Sequence, residues 1–257
     1  MMTMVVMAAL GTLAPTALRI LYPAPSPPPP PPVDPPPAAV VLPDELSRDL
    51  KGVFTIVSDN GAAVVFGTAF QLDTKGHLMT AAHLVQATRA LRLIDNTGGS
   101  HAVGLVGIDP TSDLAEVRSD VAGVPLVFAD TTRLHEGDSV AVLASPKNGL
   151  VAPSTPAVAS DLHAARTWQG ITFSDLLGVR ANLQPSNEGS PLVGPGGTVV
   201  GIIGLQIGPV DGAAFAIRSE DARMALNAWR DNPEIPLPLA PMPDSLILRG
   251  TDAISRP

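Results

Sequence analysis

Residues 67–85 read GTAFQLDTKGHLMTAAHLV. The runs on either side of Lys75-Gly76 are short and apolar, and Lys-Gly is turn chemistry, so the stretch reads as two strands around a turn. The second strand delivers His83 at the start of a short helical turn. The same texture extends in both directions from Lys51: GVFTIVS, AAVVFGTAFQLD, RALRLID, HAVGLVGID, DLAEVR, DSVAVLAS, GTVVGIIGLQ and AAFAIR are short apolar runs broken by Gly, Asn and Asp. Turn residues at Asn96-Thr97-Gly98-Gly99, Asn148-Gly149 and Gly196-Gly197 join several of them. Spacing of about ten to twelve residues is that of a barrel or sandwich. Residues 219–230 differ: Ser219 is an N-cap, Glu220 and Asp221 suit the positive end of a helix dipole, and Ala222, Ala225, Leu226 and Trp229 recur at helical spacing. The expected shape is an all-β domain closed by one C-terminal helix.

The 257 residues carry 16 Lys+Arg against 24 Asp+Glu, a net charge of −8, with 45% hydrophobic and 4% aromatic residues and no Cys. A negative balance argues against nucleic acid, whose backbone needs a basic face. Without Cys there are no disulfide scaffolds, thiolate zinc sites or Cys nucleophiles, and the redox compartment stays open. Of the 28 Pro, twelve fall between Pro23 and Pro43, which leaves residues 45–230 for a core. A stretch of that size buries roughly 70% of the surface its unfolded chain exposes and needs no staple.

Residues 1–22 carry no charge before Arg19 and read as a signal peptide or membrane anchor, although Pro15 would kink a helix there. Residues 23–44 contain PAPSPPPPPPVDPPP, which lacks the N–H groups for helix or sheet and extends as polyproline II. At about 3.1 Å per residue this linker would hold a domain on the order of 45 Å from its anchor. Residues 231–257 form a second Pro-rich tail. The location this implies is membrane-anchored or exported.

Three patterns carry chemistry. The first ends in His83; the second, SDLAEVR, places Asp113 at the mouth of a strand; the third, LQPSNEGSPLVGPGGTVVGIIG at residues 183–204, is a loop leading into a hairpin. Singly, such His and Asp residues are ordinary satisfied polar groups. Together, in the order His, Asp, Gly/Ser-rich loop, they follow the chymotrypsin-type triad: imidazole as base, carboxylate to fix its tautomer, and a loop presenting nucleophile and oxyanion donors.

Residues 51–230 resemble the protease domain of HtrA/Deg-type trypsin-like serine proteases. TAAHLV is similar to the family's histidine segment, SDLAEVR to its aspartate segment, LHEGDSVAVLASP to a strand of the second barrel, and GAAFAIR to the strand before the last helix. The resemblance implies two six-stranded antiparallel β-barrels with a C-terminal helix and the site between them. The steps of 30 residues from His83 to Asp113 and 75 from Asp113 to 188 suit that arrangement.

The third motif departs from the family. Where the family reads N-P-G-N-S-G-G-P-L, this chain has Gln184-Pro185-Ser186-Asn187-Glu188-Gly189-Ser190-Pro191-Leu192, so Glu188 stands at the nucleophile position. A carboxylate is a poor nucleophile toward an amide and needs no base. It would compete with an oxyanion for the loop's N–H groups and would pair with His83, leaving an imidazolium between Glu188 and Asp113 and no general base. Ser186, in place of a glycine whose N–H helps form the oxyanion hole, Asn187 and Ser190 are the remaining oxyanion-hole or alternative-nucleophile candidates, with Ser190 two residues from where a hydroxyl is needed. Arg180 stands where the family carries an acid, and Asn182 would line a neutral specificity pocket.

The leading expectation is a protease homologue that has lost ordinary peptidase activity and binds extended peptide or unfolded protein segments as an added strand. The alternative is an active serine endopeptidase using His83, Asp113 and Ser190; a third reading makes the Pro-rich arm the functional part. The resemblance also allows a homo-oligomer. His77, His101, His135 and His163 lack metal-ligand spacing, so neither a metal nor another cofactor is expected. GPGGTVVG opens a hairpin and is no phosphate loop. After the helix only the Pro-rich tail follows, with no pattern of a peptide-reading PDZ module.

Overall fold

The apolar runs fold as antiparallel strands in two sheets. The computed structural model describes residues 44–86, 88–145, 154–168, 171–204 and 212–231. The segment 1–22, almost all of the 23–44 linker, the Asn148-Gly149 turn and nearly all of the tail lie outside the described residues. The first sheet contains β1 (Val53–Asp59), β2 (Val64–Gln71), β3 (His77–Ala81), β4 (Ala90–Ile94), β5 (Ser100–Ala102), β6 (Gly104–Asp109) and β7 (Leu114–Arg118), in the order β5-β4-β1-β2-β3-β7-β6. Only Val103 separates β5 from β6, yet β5 pairs with β4 at one edge and β6 with β7 at the other. The chain therefore joins the sheet's own edges and the sheet curls on itself; with β5–β6 counted as one bent strand it has six.

The second sheet is a closed six-stranded barrel, β10-β13-β12-β11-β8-β9, built from β8 (Ser139–Leu143), β9 (Ser154–Trp168), β10 (Ile171–Arg180), β11 (Pro191–Val193), β12 (Val199–Gly204) and β13 (Ala213–Arg218). The sequence pattern missed β9 and β10, the longest strands. Beyond Ala164 the β9 side chains Ala165, Arg166 and Thr167 are exposed, so no apolar alternation marks the ribbon's outer half. Three register shifts and Asp175 at φ 60° interrupt β10.

Each sheet has its own interior. Phe54, Ile56, Leu78, Leu93 and Val117 fill the first, and Val142, Leu177, Leu192, Ile203 and Ala216 the second. A further core lies between the sheets, where Val53, Phe70, Met79 and Leu114 meet Leu143, Val193, Ile202 and Phe215. This is why β1 is buried without a break from Val53 to Ser58: Phe54 and Ile56 face the first interior while Val53 faces the shared core. The connection after β7 is held on both sides: Leu126 N–H donates to the Gln71 carbonyl (2.9 Å), and Val199 N–H to Val127 (2.8 Å).

The helices are α1 (Asp44–Asp49), α2 (Ala82–Val85) and α3 (Ser219–Asp231). Ala222 and Leu226 of α3 are buried in the shared core with Trp229 packed against it. The Ser219 hydroxyl, read as an N-cap, instead donates to the Ala129 carbonyl at 2.7 Å and so ties α3 to the inter-sheet connection. No helix among the described residues is long and apolar enough to cross a membrane.

Trp229 fits because β6 offers it Gly107, where a Cβ would lie 2.4 Å from the indole ring. Gly107→Ala is therefore expected to cost about 1–3 kcal/mol through overpacking. Urea unfolding checks this, and in a double-mutant cycle Trp229→Leu should recover part of the loss.

Candidate functional site

β3 and β7 pair in register from His77↔Arg118 to Ala81↔Leu114, which brings the start of α2 beside the residue preceding β7. That residue is Asp113, at φ 55°, a left-handed conformation that Asp tolerates better than most side chains. Its carbonyl accepts Ala82 N–H at 3.0 Å and its Oδ1 accepts His83 N–H at 2.9 Å, so one aspartate satisfies the first free donors of α2. The same carboxylate receives His83 Nδ1–H, with 3.0 and 2.9 Å to its two oxygens. Asp113 is buried. The end of β12 closes over it: a Cβ on Gly204 would lie 3.0 Å from Asp113 Oδ2.

The ring's other nitrogen, Nε2, lies 2.7 Å from Glu188 Oε2. Carboxylates accept and do not donate, so a ring bonded to one on each side carries a proton on both nitrogens. Burial disfavours that charge, but the hydrogen bonds and charges of Asp113 and Glu188 prevail and push His83 from 6.5 up to about 10. The side chains of His83 and Glu188 remain 18% and 16% exposed, so the pair opens to solvent.

The loop bearing Glu188 is folded on itself and pinned to the first sheet. Pro185–Asn187 is a 3₁₀ turn in which Gln184 N–H donates to Asn187 Oδ1 (2.8 Å), Asn187 N–H to the Gln184 carbonyl (2.9 Å) and Glu188 N–H to the Pro185 carbonyl (3.1 Å). From β2, Thr68 N–H donates to the Glu188 carbonyl (2.8 Å) and the Thr68 hydroxyl to the Ser186 carbonyl (3.0 Å), while the Thr80 hydroxyl holds the Thr68 carbonyl (2.7 Å). Gly189, at φ 79°, passes so close that a Cβ would lie 2.2 Å from the Thr68 carbonyl oxygen. No other residue fits there.

His83, Asp113 and Glu188 are thus together. Ser190 is adjacent in sequence but 0% exposed, and its hydroxyl has no hydrogen-bond partner among the described residues. Ser186 and Asn187 are also buried, whereas Asn182 and Arg180 are exposed. Thr68, Thr80 and Gly204 were not singled out from sequence; the available signal was a threonine inside each of two largely apolar runs, and both prove fully buried. The remaining histidines each face a carboxylate: His77 with Asp73 (2.7 Å), His101 with Asp95 (2.8 Å) and Asp120 (3.0 Å), His135 with Asp138 (3.7 Å), and His163 with Asp175 (2.6 Å). Among the described residues no group of three or more His, Asp or Glu is placed to hold a metal ion.

The trypsin-like peptidase domain family matches residues 67–202. The chain is similar to the serine protease Do-like HtrB of Bacillus subtilis, 28% identical over 181 residues, which is 67% of this chain and 40% of that protein. It is likewise similar to a probable periplasmic serine endoprotease, DegP-like, of Chlamydia trachomatis, 29% identical over 167 residues covering 63% and 33% of the two chains. It therefore spans 40% or less of the length of these two relatives. In fold it is similar to the Rv3671c protease from M. tuberculosis in its active form (TM-score 0.69, 23% identity, 80% of this chain and 92% of that one). The HtrA-type protease AlgW with tripeptide gives a TM-score of 0.62 at 24% identity, covering 72% and 62%.

The His83 geometry predicts that both ring nitrogens remain protonated through about pH 8, read by ¹⁵N-resolved NMR. A raised folded-state pKa means that the folded chain keeps a proton the unfolded chain releases near 6.5. The stabilisation is complete below 6.5 and is lost as pH rises through about 10. Glu188→Gln, by removing one anionic acceptor, should lower the His83 pKa and flatten that loss in urea-midpoint measurements across the same range.

Proposed function

The chain belongs to the trypsin-like peptidase family, and from that premise we propose that it is an HtrA-type homologue without ordinary peptidase activity that serves as a peptide- or protein-binding module. The observation that carries this reading is the Glu188 carboxylate on His83 Nε2, where a nucleophilic hydroxyl would need to be. With Glu188 at the nucleophile position, His83 has its protons held on both sides and no free lone pair with which to act as base. The loop adds a second block. In the family motif the N–H groups at positions 186 and 188 serve the oxyanion, yet Glu188 N–H here is spent on the Pro185 carbonyl.

Binding does not require either function. An extended segment added as a strand beside the site uses backbone hydrogen bonds, with the neutral Asn182 at the specificity pocket, and survives the loss of the nucleophile. Extended or unfolded protein segments are the proposed partners. A location outside the cytoplasm is supported by the word periplasmic in the name of the DegP-like relative and by the apolar segment 1–22 ahead of the 23–44 spacer. Catalysis through Ser190 gains no support from a side chain that is fully buried and whose hydroxyl bonds to nothing among the described residues.

Turnover of an unstructured protein by the full chain tests the proposal. The natural chain should be silent. Glu188→Ser should release His83 and yield weak hydrolysis, about 10²–10³ below that of a complete site because the N–H at position 188 stays on the Pro185 carbonyl. Cleavage by the natural chain that stops in His83→Ala would overturn the proposal.

A further inference from the structure

We propose that the turn between β1 and β2 is a self-modification site, at which the Asn60 side-chain amide is lost to attack by the Gly61 backbone nitrogen and the residue becomes aspartate or isoaspartate. The site stands independently of the reading of Glu188. The step is an internal acyl transfer: a bond forms from Gly61 N to Asn60 Cγ, the Cγ–Nδ2 bond breaks, and the Gly61 N–H proton leaves with the departing nitrogen as ammonia. The cyclic imide that results is opened by water at either of its two carbonyls. One opening gives aspartate and the other isoaspartate, and water is the only co-reactant.

The turn supplies each group this transfer needs. Gly61 has no Cβ to shield its nitrogen, and it sits at φ 85°, a left-handed conformation that other side chains resist. The Asn60 side chain folds forward over that nitrogen, because Oδ1 accepts the N–H groups of Ala62 and Ala63, both at 2.9 Å. Oδ1 is also the atom on which negative charge develops when Gly61 N adds to Cγ, so the same two donors act as an oxyanion hole. Gly61 N–H donates to Asp59 Oδ1 at 2.7 Å, which puts a carboxylate within reach of the proton that must leave. The Arg89 guanidinium lies against the turn, since a Cβ on Gly61 would be 2.5 Å from its Nη1, and it brings positive charge beside the developing anion.

Folding holds these parts together. Asn60 N–H donates to the Ala63 carbonyl at 3.2 Å, and Asp59 pairs with Val64 to close the ladder. The Asp59 carbonyl is gripped from behind by Arg89 N–H at 2.7 Å and by the Thr88 hydroxyl at 3.1 Å. Residues 60–63 are exposed, so water reaches the imide. An unfolded chain keeps the Asn-Gly sequence and loses the donors, the base and the cation at once. The product carries a carboxylate in place of a neutral amide, which makes the net charge of −8 more negative by one. As isoaspartate it also lengthens the backbone at the start of β2, the strand whose Thr68 holds the Glu188 loop.

The test incubates the full natural chain at neutral pH, folded and in concentrated urea, and follows residue 60 by peptide mass spectrometry as a gain of about 1 Da. Conversion should be at least about tenfold faster in the folded chain, since a positioned base alone contributes about 10²–10⁴. Asp59→Asn keeps an acceptor for Gly61 N–H but removes the base, and should slow the folded chain at least about tenfold. Asn148-Gly149, the other Asn-Gly pair of the sequence, is read in the same digests and should convert at the same rate in the variant as in the natural chain. Equal or slower conversion of Asn60 in the folded chain would overturn the proposal, because the sequence alone would then account for the chemistry. So would an undiminished rate in Asp59→Asn, or an equal slowing of Asn148 in that variant.

Discussion

Asp113 organises this molecule's centre, because two donors converge on its buried carboxylate and a third on its backbone carbonyl. It takes His83 N–H, shares His83 Nδ1–H between its two oxygens, and sits on a backbone whose carbonyl takes Ala82 N–H. A buried carboxylate is costly unless several hydrogen bonds replace water, and α2 supplies them. The arrangement holds the imidazole in one orientation with Nε2 pointing outward. Whatever side chain position 188 carries will meet that nitrogen.

The meeting depends on the two sheets being fixed against each other. A core shared by Phe70, Met79, Leu143, Ile202 and Phe215 sets their distance, but apolar packing alone does not set angles to the accuracy hydrogen bonding needs. The polar bond from Thr68 N–H to the Glu188 carbonyl does so, supported by the Thr80 hydroxyl behind it. Both threonines are fully buried, so neither bond competes with water.

Much of this was legible in the chain. Strand texture around Lys75-Gly76, the amphipathic spacing of Ala222, Leu226 and Trp229, and the order His83, Asp113, Gly/Ser-rich loop are local patterns, and local patterns can be read without coordinates. The β9–β10 ribbon was not legible because Ala165, Arg166 and Thr167 of its outer half are exposed in succession and register shifts break the period of β10. Nor was the state of the loop. That Glu188 N–H turns inward to Pro185, that Ser190 is sealed while its neighbour Glu188 opens to solvent, and that the Thr68 hydroxyl reaches Ser186 across 118 positions are consequences of packing between distant segments. One carboxylate partner of another histidine has a related origin: Asp120 is 19 residues from His101 and reaches it only because β5 and the end of β7 come together in the curled sheet.

Two adjacent residues in that loop answer to different masters. Gly189 sits at φ 79° against the Thr68 carbonyl, and folding itself dictates its identity. Glu188 sits at φ −61°, ψ 135°, a conformation open to every amino acid; its main chain holds β2 while its side chain meets His83. The backbone therefore demands glycine at position 189 and makes no such demand at position 188. A change of side chain at 188 thus leaves the backbone path of the loop and its bonds to β2 in place.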